Sequence, residues 1–156
     1  MARALILPRP LFALTLATLT LSAAIFVLAM LDLGTVSFWL NLTGGGVTIL
    51  HDATLISLAR RAARNETPLF FPPAASIMNI LFLGVCAFIY TAGLAMTAYS
   101  AHFAASGEIS WGTPAGMGTI IAQAVIGGIN IILLLTTAVW CLRSRKTGRE
   151  FGYGEF

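Results

Sequence analysis

Residues 74–99, from Ala74 to Tyr99, read AASIMNILFLGVCAFIYTAGLAMTAY without one Asp, Glu, Lys, Arg or His. As an α-helix the stretch is about 39 Å long, more than the ~30 Å of hydrocarbon in a bilayer. Its apolar residues do not alternate with polar ones, which excludes a membrane strand, and a helix satisfies its own backbone in lipid. Working outward, runs of comparable length and apolar character cover 10–31, 36–59 and 113–142. The chain is 58% hydrophobic and 10% charged, against about a quarter charged in soluble domains. The expected fold is all-α: one integral membrane four-helix bundle over 1–156, ending in a short basic and aromatic tail, 143–156.

The charges give this bundle an orientation. All nine Lys and Arg residues fall in three segments: Arg3 and Arg9, then Arg60, Arg61 and Arg64, then Arg143, Arg145, Lys146 and Arg149. Four crossings bring these segments to one side, and the positive-inside rule makes that side the cytoplasm, with both termini. The net charge of +3 is therefore juxtamembrane. Arg60, Arg61, Arg64, Arg143, Arg145 and Lys146 are read as contacts to anionic inner-leaflet lipid, with no nucleic-acid partner implied. The first run exceeds the 7–15 residues of a signal-peptide core and is expected to be retained as a helix. The expected location is a membrane crossed several times, plasma membrane or endomembrane.

Inside the bundle, the informative residues are His51 and Asp52. A carboxylate at hydrocarbon depth costs at least ~2.5 kcal/mol and needs a partner. Thr48 is one turn back on the same helix, and Thr18 and Asn79 enter neighbouring helices to similar depth. The expectation is a buried polar cluster of Thr18, Thr48, His51, Asp52 and Asn79. It serves either as interhelical glue or as a proton or ion site. Asn130 is expected to form a second polar layer near Cys86.

Glycine is the other interior signal. Gly112 and Gly116, and likewise Ala124 and Gly128, repeat small residues at four-residue spacing, which lets helices approach closely within the chain or in a homo-oligomer. Gly44, Gly45 and Gly46 loosen the second helix above His51. Two cysteines, Cys86 and Cys141, sit at different depths and cannot pair. Cys141 beside Arg143 is read either as a palmitoylation site or as a small packing residue. The sequons at Asn41 and Asn65 fall too near the bilayer and on the cytoplasmic side; Asn41 is expected to hydrogen-bond near the outer interface. His102 has no catalytic partner in the pattern, and no cofactor fingerprint, catalytic residue set or metal-ligand spacing appears.

Four short-looped helices with cytoplasmic ends resemble MARVEL-type proteins and related small four-span membrane proteins of fungi. That resemblance implies membrane organisation or a partner-subunit role and no catalysis. Arg61-Ala62-Ala63-Arg64-Asn65-Glu66-Thr67-Pro68 is similar to the cytoplasmic signature of the MAPEG family, trimeric glutathione-dependent membrane enzymes. In that family Asn and Glu are differently spaced and the segment follows the first helix. The similarity implies glutathione contacts at Arg61, Arg64, Asn65 and Glu66. The expected function is a non-enzymatic scaffold or accessory subunit partnered by lipid and by a second copy or another membrane protein. The alternatives are an oligomeric proton or ion conductor using Asp52 and His51, and the glutathione enzyme.

Overall fold

The computed structural model describes residues 9–63, 76–106 and 116–146, all helical apart from the 32–39 turn and Ser76. Four helices follow in order: α1 Arg9–Leu31, α2 Leu40–Ala63, α3 Ile77–Ser106 and α4 Gly116–Lys146. α1 packs on α2 and α4, and α3 on α2 and α4, closing a ring of four. Asp32 at the end of α1 meets Gln123 near the start of α4, and Asn41 at the start of α2 meets Thr97 late in α3. Consecutive helices are therefore antiparallel.

Three helices, Arg9–Leu31, Ile77–Ser106 and Gly116–Ser144, are long and apolar enough to cross a membrane, which gives the chain the character of a membrane protein. α2 was expected as a fourth such run, yet it is not among these candidate spans. Its composition explains the difference: Gly44, Gly45, Gly46, Thr48, His51, Asp52, Thr54, Ser57 and Arg60 dilute the apolar residues.

The expected boundaries hold at α1 and shift elsewhere. α2 begins at Leu40 and not at residue 36, because 32–39 forms a longer turn. Gly34 (φ 74°) closes α1, its N–H bonding to the Ala29 carbonyl at 2.7 Å and to Asp32 Oδ1 at 2.9 Å. The turn then holds three non-glycine residues in the left-handed region, Leu33, Phe38 and Trp39. Ser37 Oγ accepts from the Asn41 N–H as α2 starts. Ser76 caps α3 by accepting from the Asn79 N–H at 3.1 Å. α3 continues through residues 100–106, expected as loop, since Ala and other helix-compatible residues meet no proline or glycine there. α4 likewise continues to Lys146, so the start of the expected tail is helical.

Apolarity in this bundle is turned outward. Leu50, Met78, Leu81, Phe88 and Ile132 are among many large hydrophobic residues exposed on the outer wall, while Thr18, Ser22, Asp52, Thr97, Gln123 and Asn130 are buried. The buried positions alternate in steps of four and three: Leu11, Thr15, Thr18, Ser22, Ile25, Ala29 on α1 and Asn79, Leu83, Cys86, Tyr90, Gly93, Thr97 on α3. That period is the a/d seam of a left-handed bundle. In lipid there is no hydrophobic force between apolar helices, so packing and interhelical hydrogen bonds hold the seam together. Close approach falls at Gly45, where an added Cβ would lie 3.1 Å from Phe26 and 3.2 Å from the Ser22 carbonyl, and at Gly93, where it would collide with Asn41 Oδ1.

Candidate functional site: three polar layers on the bundle axis

The interior polar groups form three layers. In the inner layer, Thr18 on α1 donates to Asp52 Oδ2 at 2.5 Å. His51 Nδ1 lies 3.0 Å from Asp52 Oδ1, and His51 Nε2 lies 2.6 Å from Asn79 Oδ1 on α3. The His51 ring stacks on Phe82 with centroids 4.6 Å apart and planes 20° apart. Asp52 is 2% exposed. A cavity of about 10 Å³ adjoins the pair, lined also by Leu11, Thr15, Leu83 and Thr137; that is close to the smallest volume that holds one water.

The middle layer joins α1, α3 and α4. Tyr90 donates its hydroxyl to Ser22 Oγ at 3.0 Å, and Asn130 Nδ2 donates to the same oxygen at 3.0 Å. Thr48 belongs here, beside Cys86 and Tyr90, and not to the inner cluster in which it was expected. Its hydroxyl and Asn130 Oδ1 are buried without completing a hydrogen bond.

The outer layer ties all four helices. Gln123 Nε2 on α4 donates to Asp32 Oδ2 at 2.6 Å, and Asn41 Nδ2 on α2 donates to Gln123 Oε1 at 3.0 Å and to Thr97 Oγ1 on α3 at 3.2 Å. Burial holds the Asp32 carboxyl above its usual range, opposed by the hydrogen bonds from Gln123 and the Gly34 amide. The sequence reading found Asn41 but missed Asp32, Gln123 and Thr97. The signal for Gln123 was its spacing, seven residues before Asn130 and fourteen before Thr137 on one helix face.

The inner layer thus brings Thr18, His51, Asp52 and Asn79 together as one chain of contacts. The small residues of α4 divide: Ala124 is partly buried, a Cβ added at Gly127 would meet Ile25, and one added at Gly116 or Gly128 would meet nothing within 4 Å among the described residues. Intramolecular close packing therefore lies at Gly44, Gly45, Gly93 and Gly127 and not at Gly116 or Gly128. Cys141 is 1% exposed, packed against Leu11. Palmitoylation needs an accessible thiol, so the packing role replaces that reading. Cys86 and Cys141 are both free. Arg60, Arg61 and Arg143 are exposed, and the last turn of α2 carries Arg60 and Arg61 where the helix dipole favours cations. Gly112, Arg64, Asn65 and Glu66 lie outside the described residues, as do the side chains of Arg145 and Lys146.

No protein-family profile matches this chain, and neither a curated protein nor a solved structure is significantly similar to it. The axis layers must therefore be interpreted from their own chemistry. They contain donors, acceptors and two carboxylates but no nucleophile held by a base. Among the described residues, no three His, Cys, Asp or Glu side chains gather as metal ligands.

Proposed function

We propose that the chain is a four-span membrane protein, both ends cytoplasmic, that works as a non-enzymatic scaffold or accessory subunit through its outer wall. The observation that carries this reading is the inside-out bundle: nearly every interior polar group is bonded within the chain, while the large apolar side chains face outward. Such a bundle needs no second subunit to complete its core. What it offers to other molecules is its lipid-facing surface, including α4 positions Gly116 and Gly128, where an added Cβ would meet nothing within 4 Å among the described residues. Small residues there let a second transmembrane helix approach closely.

α2 is included as a crossing on three grounds. Its 24 residues are about 36 Å long. It packs between α1 and α3, and its Asn41, Thr48 and Asp52 are buried. The cytoplasmic assignment rests on the positive-inside distribution of charge.

A conductor reading has Asp52 and His51 in its favour but lacks a path. Between the Ser22–Asn130 layer and the Asp32–Gln123 layer stand the buried Ile25 and Ala29 and the partly buried Ile126, and the seven residues from Gln123 to Asn130 span about 10 Å.

Native mass spectrometry of the chain extracted in lipid nanodiscs tests the proposal. A particle holding a second membrane protein or a second copy is expected, with the association reduced at least tenfold by Gly128→Leu. A lone subunit that carries protons or ions across vesicles would overturn it. For topology, Arg61→Cys and Ser106→Cys are expected to label from opposite sides with a membrane-impermeant maleimide.

A further inference from the structure

Depth in the bundle can be measured from its outer layer. Along α2, Arg60 lies about 29 Å from Asn41, and along α4, Arg143 lies about 30 Å from Gln123. The hydrocarbon of a bilayer is about that thick. With the arginines at one face of the hydrocarbon, the layer of Asp32, Asn41, Thr97 and Gln123 lies at the other. α1 and α2 end there, joined by the 32–39 turn, whereas α3 runs on past Thr97 to Ser106 and α4 starts before Gln123, at Gly116. α3 and α4 therefore rise about 10–14 Å past the turn. The Ser100 hydroxyl donates to the Val36 carbonyl at 2.8 Å and holds the turn against α3.

The turn is polar inside and apolar outside, as the helices are. Asp32, the only charged residue of 32–39, is buried together with Val36 and Ser37. The N–H groups of Leu33, Gly34, Thr35, Phe38 and Trp39 bond to carbonyls of the turn or of the last turn of α1. Leu33, Phe38 and Trp39 are each more than half exposed. Among the described residues they are also the non-glycine positions with positive φ, at 54°, 49° and 66°. A left-handed backbone is unfavourable for any residue with a Cβ, so the chain accepts local strain at the three positions that turn a large apolar group outward. In water that exposure would be a second cost, whereas against lipid it is a gain. The three residues continue, along the chain, the exposed wall that Val27, Met30 and Leu31 form on α1, a helix long and apolar enough to cross a membrane.

We infer that the 32–39 turn is a lipid-docking element: Leu33, Phe38 and Trp39 seat in the outer-leaflet interface, between headgroups and acyl chains, while α3 and α4 pass through the headgroups beside them. The inference rests on the reading that α1 and α2 both cross the membrane. The position of the turn at the hydrocarbon boundary selects lipid as the occupant. Trp belongs at that depth because its ring is apolar and its N–H polar, and the exposed Trp39 indole bonds to no acceptor among the described residues. Its N–H is available to an ester or phosphate oxygen. The headgroup zone is roughly 5–7 Å deep on each side, so the ends of α3 and α4 clear it and reach water. The outer face of the molecule is thus stepped: a protein approaching from that side meets α3 and α4, and lipid caps the α1–α2 corner.

The test uses the full chain in phosphatidylcholine vesicles, with Trp111→Phe and Trp140→Phe so that Trp39 alone fluoresces. Lipid brominated near the headgroup end of its acyl chains is expected to quench Trp39 about twofold, more than lipid brominated near the chain methyls and more than aqueous iodide. Strongest quenching from the chain methyls would overturn the proposal by placing the turn in mid-bilayer. Quenching by iodide alone would place it in water, and resistance to all three quenchers would place it under a second copy or another protein; either result overturns the proposal too. In parallel, Phe38→Cys is expected to react with a membrane-impermeant maleimide about tenfold more slowly than Ser106→Cys, the native Cys86 and Cys141 being buried. Equal rates would overturn the proposal, and if the single-tryptophan chain does not assemble, this comparison decides alone. Labelling of Ser106→Cys and Arg61→Cys from one side would remove the four-span reading itself. Labelling from opposite sides, with Trp39 outside the lipid, would remove only the docking of the turn.

Discussion

The outer layer and the inner chamber use the same kinds of side chain, yet they tie different numbers of helices. Outside, Asp32 in the turn after α1, Asn41 on α2, Thr97 on α3 and Gln123 on α4 bond in a connected network. Inside, Thr18, His51, Asp52 and Asn79 join α1, α2 and α3, whereas Thr137 of α4 spends its hydroxyl on its own Leu133 carbonyl. The bundle is therefore pinned at its outer end and less constrained at its inner end. A four-helix knot resists change because every bond depends on the others.

Substitutions separate the two ends. Gln123→Leu takes the donor from Asp32 and an acceptor from Asn41 while both stay buried, and is expected to cost about 2–3 kcal/mol. Reversible unfolding in detergent by denaturant would measure it. Thr18→Val removes one interhelical bond at the inner end and should cost less, about 0.6–1.7 kcal/mol. Equal losses would abolish the distinction between the ends.

Asp32 gives the comparison a pH axis. Its folded carboxyl titrates above its ordinary value of 3.8, chiefly through burial, so the folded chain holds that proton more tightly than the unfolded chain. Its contribution to stability is fully present below pH 3.8 and is lost as pH rises through the raised folded value. Denaturation across that window should lose this slope in Asp32→Asn, and a slope unchanged by the substitution would refute the assignment. Thr136→Ala is the smallest case. Its exposed hydroxyl bonds only the Ile132 carbonyl of its own helix, and an effect within about 0.5 kcal/mol is expected.

Much of this was legible in the sequence, for unequal reasons. Apolar run length located α1 closely because Pro10 and Asp32 bracket it. The same measure misjudged α2 at its start, because Val36, Phe38 and Trp39 are apolar enough for a span but are spent on a turn that Gly34 and Asp32 organise. Run length tracks hydrocarbon and not helix, so it stopped short of residues 100–106 and 143–146, where polar and charged side chains continue the same backbone. Depth counting aligned Thr18, His51, Asp52 and Asn79, because helix rise is regular. It misassigned Thr48, one turn from Asp52 along the helix and therefore one layer higher. Facing is harder to read from a uniformly apolar chain. The seven-residue recurrence of polar side chains in α4 carries it, and the four-residue recurrence of glycine does not.

The contact between Gln123 and Asp32 bears on the order in which the chain is made. Asp32 emerges early and Gln123 late, with α2 and α3 between them. A chain interrupted before α4 keeps only the Gly34 amide on that carboxyl, leaves Asn41 without its Gln123 partner, and exposes Tyr90 and Ser22 without Asn130. Polar groups stranded in lipid are costly. A half-synthesised chain thus carries polar groups whose partners arrive only with the last helix.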